Sequence, residues 1–249
     1  MSELEYANIA RSVVADVLDS QLGEVRRAGE LMATAIRDGG VVQAYGTGHS
    51  RIVALELAAR AGGLASVGML SVKDLVMFGG ADPADILDPT YEREPGLAAR
   101  IYELARPEAG DLFVIVSNSG INAAIVEMAS LVTERGHRLV AITSLNHTRG
   151  VTSRTRSGQR LVDLADVVID NMAPRGDATI QLAGGERIGA VSSLTGVLIA
   201  QLLTEATCRA LEESGARVPV YVSANTPDGD AHNAGLYSMY GARIRPIEP

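Results

Sequence analysis

The sequence predicts an α/β fold: a doubly wound parallel sheet with a helical N-terminal arm. Three observations predict it. Short apolar runs rich in β-formers alternate with amphipathic stretches at regular spacing, as in a parallel sheet with helices on both faces. Two of the runs end in turns of glycine, serine and asparagine, where such sheets bind ligands. Apolar residues make up 47% of the 249 and charged residues 21%, ordinary proportions for a globular chain with a sizeable core.

Residues 1–40 carry Ile9, Val13, Val14 and Val17, then Leu22, Val25, Met32 and Ile36, at helical spacing. They predict one extended helix or two, ended by Gly39-Gly40. "VVQAYG" (41–46) is a strand, "TGHS" a turn, "RIVALELAARAG" an amphipathic helix closed by Gly62-Gly63, and "LASVGML" (64–70) a second strand. From Lys73 to Gly96 the chain reads as irregular, broken by Gly79-Gly80, Pro83, Pro89 and Pro95. A helix follows at 97–106, then the strand "LFVIVS" (112–117), the helix "NAAIVEMASLVTERG" and the strands "RLVAITS" (138–144) and "ADVVIDN" (165–171). The polar link from Leu145 to Gln159 predicts a loop with at most a helical turn. A long helix is expected from Gly185 to Gly215, and the tail has no clear period. The expected organisation is a single domain: arm 1–40, core 41–215, tail 216–249.

Composition narrows the function. A net charge of −8 disfavours nucleic acid, which needs a basic face, but not a small anion held by local N–H and hydroxyl donors. Cys208 is the single cysteine, so an intrachain disulfide and a cysteine zinc cage are excluded, and its surroundings predict a packed thiol. Four scattered histidines lack metal-ligand spacing, so no metal or other cofactor is expected. No signal peptide is recognisable, and "IGAVSSLTGVLIAQLL" is interrupted by Ser, Thr and Gln, which points away from a membrane. A cytoplasmic protein is the expectation. Lys73 is the sole lysine.

Two strand ends carry the chemistry. In "YGTGHS" (45–50), Gly46 and Gly48 let the backbone turn sharply towards a ligand, and Ser50 stands where the next helix offers unpaired N–H groups to an anion. The third glycine of the dinucleotide fingerprint is missing, and no P-loop lysine follows. In "FVIVSNSGIN" (113–122), Ser117, Asn118, Ser119, Gly120 and Asn122 precede a helix, a set that suits phosphate oxygens without adding charge. Helix capping and turn formation explain either motif alone. Two of them at strand ends of one parallel sheet favour a phosphate site.

"GTGHS" followed about seventy residues later by "VSNSGIN" resembles the sugar isomerase (SIS) domain family, over roughly residues 35–215. Within it the chain resembles a single-domain bacterial phosphoheptose-isomerase-like group. The resemblance implies the Rossmann/flavodoxin-like SIS fold. It also implies a phosphosugar held by Gly48, Ser50, Ser117, Ser119 and, by position, Asn122, which departs from the usual hydroxyl. "ERIGAVSSLTGVLIAQLL" is similar to a segment of SIS amidotransferase isomerase domains, which implies Glu186, Ser192 and Ser193 at the sugar end. Family members form dimers with sites built across the interface, so a homodimer is implied.

SIS enzymes remove a proton beside the carbonyl of an open-chain sugar phosphate, which needs a carboxylate or imidazole within hydrogen-bond reach. The candidates are Glu56, Glu92, Glu94, Glu186, His49 and His232. Glu56 lies in the apolar run "VALELAA", as a buried base or a solvated residue. Several SIS enzymes carry their glutamate further along this helix, where this chain has Arg60. Glu186 has the better family match. Glu92, in "DPTYEREPG", is either a loop charge or a carboxylate brought over the substrate. His49 lies inside the first turn; His232, flanked by acids in the tail, either completes a partner's site or is solvated. His137 and His147 read as structural.

Three activities fit: an aldose–ketose isomerase, a lyase that removes the C2 proton and expels a C3 substituent, and a sugar-phosphate sensor. Sensors of the family carry an attached effector domain, and its amino-sugar isomerases use lysines. An N-acetylated amino sugar resists C1–C2 isomerisation but can lose its C2 proton and then its C3 hydroxyl. The expected activity is therefore elimination from an N-acetylhexosamine 6-phosphate, with isomerisation as the alternative.

Overall fold

The computed structural model describes residues 4–88, 90–155 and 157–247; Pro89, one of the expected breakers, lies outside them. The arm is two helices, α1 (Glu5–Ser20) and α2 (Leu22–Arg37), joined at Gln21. The core runs β1 (Val42–Gly46), α3 (Arg51–Leu57), β2 (Val67–Leu70), α4 (Lys73–Met77), α5 (Leu97–Ala105), β3 (Leu112–Val116), α6 (Ala123–Glu134), β4 (Arg138–Thr143), α7 (Leu145–Arg149), α8 (Leu161–Leu164) and β5 (Val167–Asp170). A hairpin of β6 (Ala178–Gln181) and β7 (Arg187–Ala190) leads into α9 (Ser192–Glu213), and α10 (Gly229–Tyr240) lies in the tail.

The five core strands form one parallel sheet in the order β2-β1-β3-β4-β5. Every strand between Val42 and Thr143 is apolar at nearly every position, as burial on both faces requires. Val42, Ala44, Val114, Val116 and Ile142 pack on one face against α2, α3 and α9. Tyr45, Phe113, Ile115, Leu139 and Ala141 pack on the other against α4, α5, α6 and α8. The order reverses between β1 and β3, so their carboxyl ends open the crevice where this topology takes ligands. Gly46 of β1 stands opposite Val116 of β3. The register therefore sets "GTGHS" and "SNSGIN" side by side.

Three expectations change. The helix expected from Gly185 begins only at Ser192, because Arg187–Ala190 pairs antiparallel with Ala178–Gln181. Gly189 has φ +76, outside any right-handed helix, and Asp177 accepts from the Val191 and Ser192 amides to start α9. The helix after the first turn is shorter than expected and ends at Leu57, with Ala58 extended and Ala59 at φ 49. The tail has an order of its own. Pro219 to Tyr221 hydrogen-bonds antiparallel along residues 62–65, and Leu236 of α10 packs on Ala65 and Tyr221.

By length and composition alone α9 is apolar enough to cross a membrane, in spite of its Ser, Thr and Gln. In the fold it is a core helix, burying Gly196, Ile199, Ala200 and Leu203 against α2 and α3. Cys208, on the same helix, is half-buried and its thiol pKa is pushed up mainly by desolvation.

Candidate active site

The first turn leaves β1 at Gly46 and makes a single 3-10 turn, Gly48–Ser50, before α3. A Cβ on Gly46 would lie 2.8 Å from the Ser50 carbonyl oxygen, so only glycine lets the chain fold back this tightly. Ser50 is half-buried at the start of α3, while Gly48 and His49 are exposed.

The second turn divides its polar groups between holding itself and facing outward. Ser117 is buried, and its Oγ accepts from the Gly120 amide at 3.1 Å. Asn118 is tied down on both sides. Its Oδ1 accepts from Asn171 Nδ2 at 3.1 Å and its carbonyl accepts from the Ser144 amide. Gly120 has φ +66, and a Cβ there would meet Thr143 Oγ1 at 3.3 Å, so both conformation and space call for glycine. Ser119, half-buried, makes no hydrogen bond to the described protein. The Asn122 side chain stands at the N-cap of α6 without capping it; Ile125 donates to the Asn122 carbonyl, and the amides of Ala123 and Ala124 keep their donors unspent.

The Asn122 side chain instead spans the crevice. Its Nδ2 donates to Glu92 Oε1 at 3.3 Å, and its Oδ1 accepts from Arg154 Nη1 at 3.2 Å. Glu92, half-buried, thus reaches the second turn from the segment after α4, and its Oε2 lies 3.9 Å from where a Cβ on Gly48 would stand. One carboxylate is bonded to the second turn and lies close to the first. A cavity of about 530 Å³ opens here, lined among others by Gly48, His49, Arg51, Asp88, Tyr91 and Glu92. Tyr91 is buried and its Oη accepts from Arg100 Nη1 at 3.0 Å, which anchors the residue before Glu92.

The other candidates lie elsewhere. Glu56 Oε1 accepts from Arg60 Nη1 and from Gln201 Nε2, tying α3 to α9. Glu186 is exposed at the turn of the β6–β7 hairpin, outside the lining of the cavity. Ser192 donates to Asp177 Oδ2 at 2.7 Å within the start of α9, and Ser193 is half-buried beside it. His232 is exposed and donates through Nε2 to the Val220 carbonyl of its own chain at 2.9 Å. His137 is buried, bonded to Tyr102 Oη and the Asp111 carbonyl, and His147 Nδ1 accepts from the Gly176 amide. Among the described residues no three His, Cys, Asp or Glu side chains gather as metal ligands.

Sequence reasoning missed Arg154 and Arg51, which bring positive charge to a cradle expected to rely on neutral donors. Arg154 sits in a polar link that offers no periodic signal, and Arg51 opens an amphipathic helix in which a charged residue is unremarkable.

The sequence model of the SIS domain matches residues 5–144, more than half of the chain. The chain belongs to the SIS domain family. Relatives of matching length include a UPF0309 protein of Halalkalibacterium halodurans, 34% identical over 95% of this chain and 96% of its own. A UPF0309 protein of Listeria monocytogenes serotype 4b is 32% identical over 96% of each. Among solved structures, the SIS fold here is similar to phosphoheptose isomerase from Neisseria gonorrhoeae, with TM-score 0.54 and 18% identity over 80% of this chain and 93% of that one. It is also similar to a phosphoheptose isomerase from Francisella tularensis, with TM-score 0.52 and 14% identity over 81% and 94%. At such identities the likeness establishes the shared fold.

Proposed function

We propose that this SIS protein is an enzyme that binds the phosphate of an N-acetylhexosamine 6-phosphate, such as N-acetylglucosamine 6-phosphate, between its two turns. In this reading it removes the C2 proton and expels the C3 hydroxyl. The observation that carries it is the Glu92 carboxylate held between Gly48 and Asn122, at the mouth of a cavity that also holds His49. Ser119, the first amides of α6 and the Ser50 end of the first turn receive the phosphate oxygens. Ser117 and Asn118 keep the turn in shape.

Glu92 takes the proton from C2 of the open-chain aldehyde, and the C–H electrons delocalise into the carbonyl as an enolate. The enolate then re-forms the carbonyl while the C3–O bond breaks, and the oxygen leaves as water with a proton from His49. An acid and a base facing one cavity suit elimination. The same carboxylate alone would serve aldose–ketose isomerisation, a reading favoured by the fact that, among the described residues, no second carboxylate spans both turns. The solved phosphoheptose isomerases share this fold. We take the working unit to be a homodimer, which the exposure of Ile52 and Leu55 on α3, the first of them lining the cavity, supports.

Incubation with N-acetylglucosamine 6-phosphate in deuterated water, followed by NMR, tests the reading. Loss of the H2 signal with release of the C3 oxygen is the expected result. A ketose product would replace elimination by isomerisation, and tight binding without any change would make the protein a sensor.

A further inference from the structure

Tyr45 is the last residue of β1 before Gly46, where the first turn leaves the strand, and it is fully buried in the core cluster of Leu70, Leu75, Tyr91 and Leu97. Its hydroxyl is buried too and has no hydrogen-bond partner in the described protein. A phenylalanine would fill the same space without stranding a donor, so the unmatched hydroxyl calls for a second state that uses it. Tyr91, the residue before Glu92, packs in the same core cluster, and the carboxylates of Glu92 and Glu127 lie near enough to act on the hydroxyl electrostatically. With burial as the larger cause, they push its pKa up, so the group keeps its proton and remains a donor. Glu127 already has a partner of its own, the Gly96 amide at 3.2 Å. Among the described residues, Glu92 is held by Asn122 Nδ2 alone, at 3.3 Å.

That single bond is the one a phosphate ester contests. An ester entering the second turn takes the Asn122 donor, and its negative charge repels the Glu92 carboxylate at the same time. We propose that Tyr45 is a positioning residue whose hydroxyl takes over the Glu92 carboxylate when a phosphate ester occupies the cradle and draws Asn122 away. In the free protein Asn122 holds Glu92 and the phenol waits. In the complex Asn122 serves the ester, and Tyr45 keeps the base aimed at the sugar. The inference rests on the phosphate site proposed above and adds the device that hands the carboxylate from ligand binding to chemistry.

Titration calorimetry with inorganic phosphate tests it on four full-length proteins: wild type, Tyr45→Phe, Glu92→Ala and the double variant. Loss of a hydrogen bond to a charged group predicts phosphate affinity about tenfold weaker in Tyr45→Phe. Its melting temperature stays no lower than that of wild type, because the free protein loses no bond. In the Glu92→Ala background the same change leaves phosphate affinity unaltered. Equal affinity of Tyr45→Phe and wild type overturns the proposal, and so does an equal loss in the Glu92→Ala background, which would route the effect around Glu92. Absence of phosphate binding by wild type overturns the cradle and the hand-over together. Coupling between Tyr45 and Glu92 without turnover of any sugar phosphate leaves the hand-over standing and removes only the enzymatic reading.

Discussion

Ser117 and Ser119 lie two residues apart in one turn and serve different ends. The Ser117 hydroxyl is spent on the Gly120 amide, whereas the Ser119 hydroxyl has no partner in the described protein. Ser119→Ala should therefore leave the melting temperature within a degree or so and weaken binding of phosphate about tenfold, as calorimetry would show. Ser117→Ala should do the reverse, lowering stability by about 1 kcal/mol in urea titrations. The polar turn was legible in the sequence, but this division was not. Which hydroxyl the turn keeps for itself depends on Gly120 at φ +66, which swings its amide back onto Ser117. Glu92 was legible as a candidate, but its placement was not. "YEREPG" offers two glutamates, and only the path of the irregular segment decides which one meets Asn122.

At the scale of elements, the first turn depends on how closely α3 and α9 approach. Gly196 of α9 faces Val53 of α3, and a Cβ there would stand 2.5 Å from Val53 Cγ2. Gly196→Ala must push the helices apart, at a cost of about 1–3 kcal/mol. Because α3 follows Ser50 directly, phosphate affinity should fall along with the melting temperature. A variant that loses stability while binding phosphate as wild type does would show that α3 does not position the turn. The parallel strands and their helices were readable from alternating runs. The β6–β7 hairpin was not, because Ile188 and Ala190 of "ERIGAVSS" continue smoothly into an apolar helix pattern. Only Gly189 and the capping carboxylate of Asp177, far back in sequence, separate the two.

In the whole molecule, the sheet order sets both turns at one edge of the crevice, and the tail is fastened at the opposite end of the strands. Asp111, before β3, has a fully buried carboxylate that accepts from the Val41 and Glu108 amides and from Arg243 Nη2 at 2.7 Å. Arg243→Ala removes the counter-charge but leaves the two backbone amides and the Gln43 side-chain amide as donors, so a loss of about 2 kcal/mol is expected in urea unfolding. The site lies at the far end of the sheet, and its phosphate affinity should not change. Fold class was legible because the pattern of a parallel sheet extends over the entire core. Which glutamate reaches the crevice was not, since Glu186 and Glu92 differ in long-range placement and not in local pattern. The most direct measurement is therefore the rate of H2 exchange of N-acetylglucosamine 6-phosphate in deuterated water, compared between wild type and Glu92→Gln. Wild type should exchange H2, and the variant should lose exchange by at least a hundredfold on the usual scale of general-base catalysis (~10²–10⁴) while still binding phosphate. Undiminished exchange in Glu92→Gln would contradict Glu92 as the base.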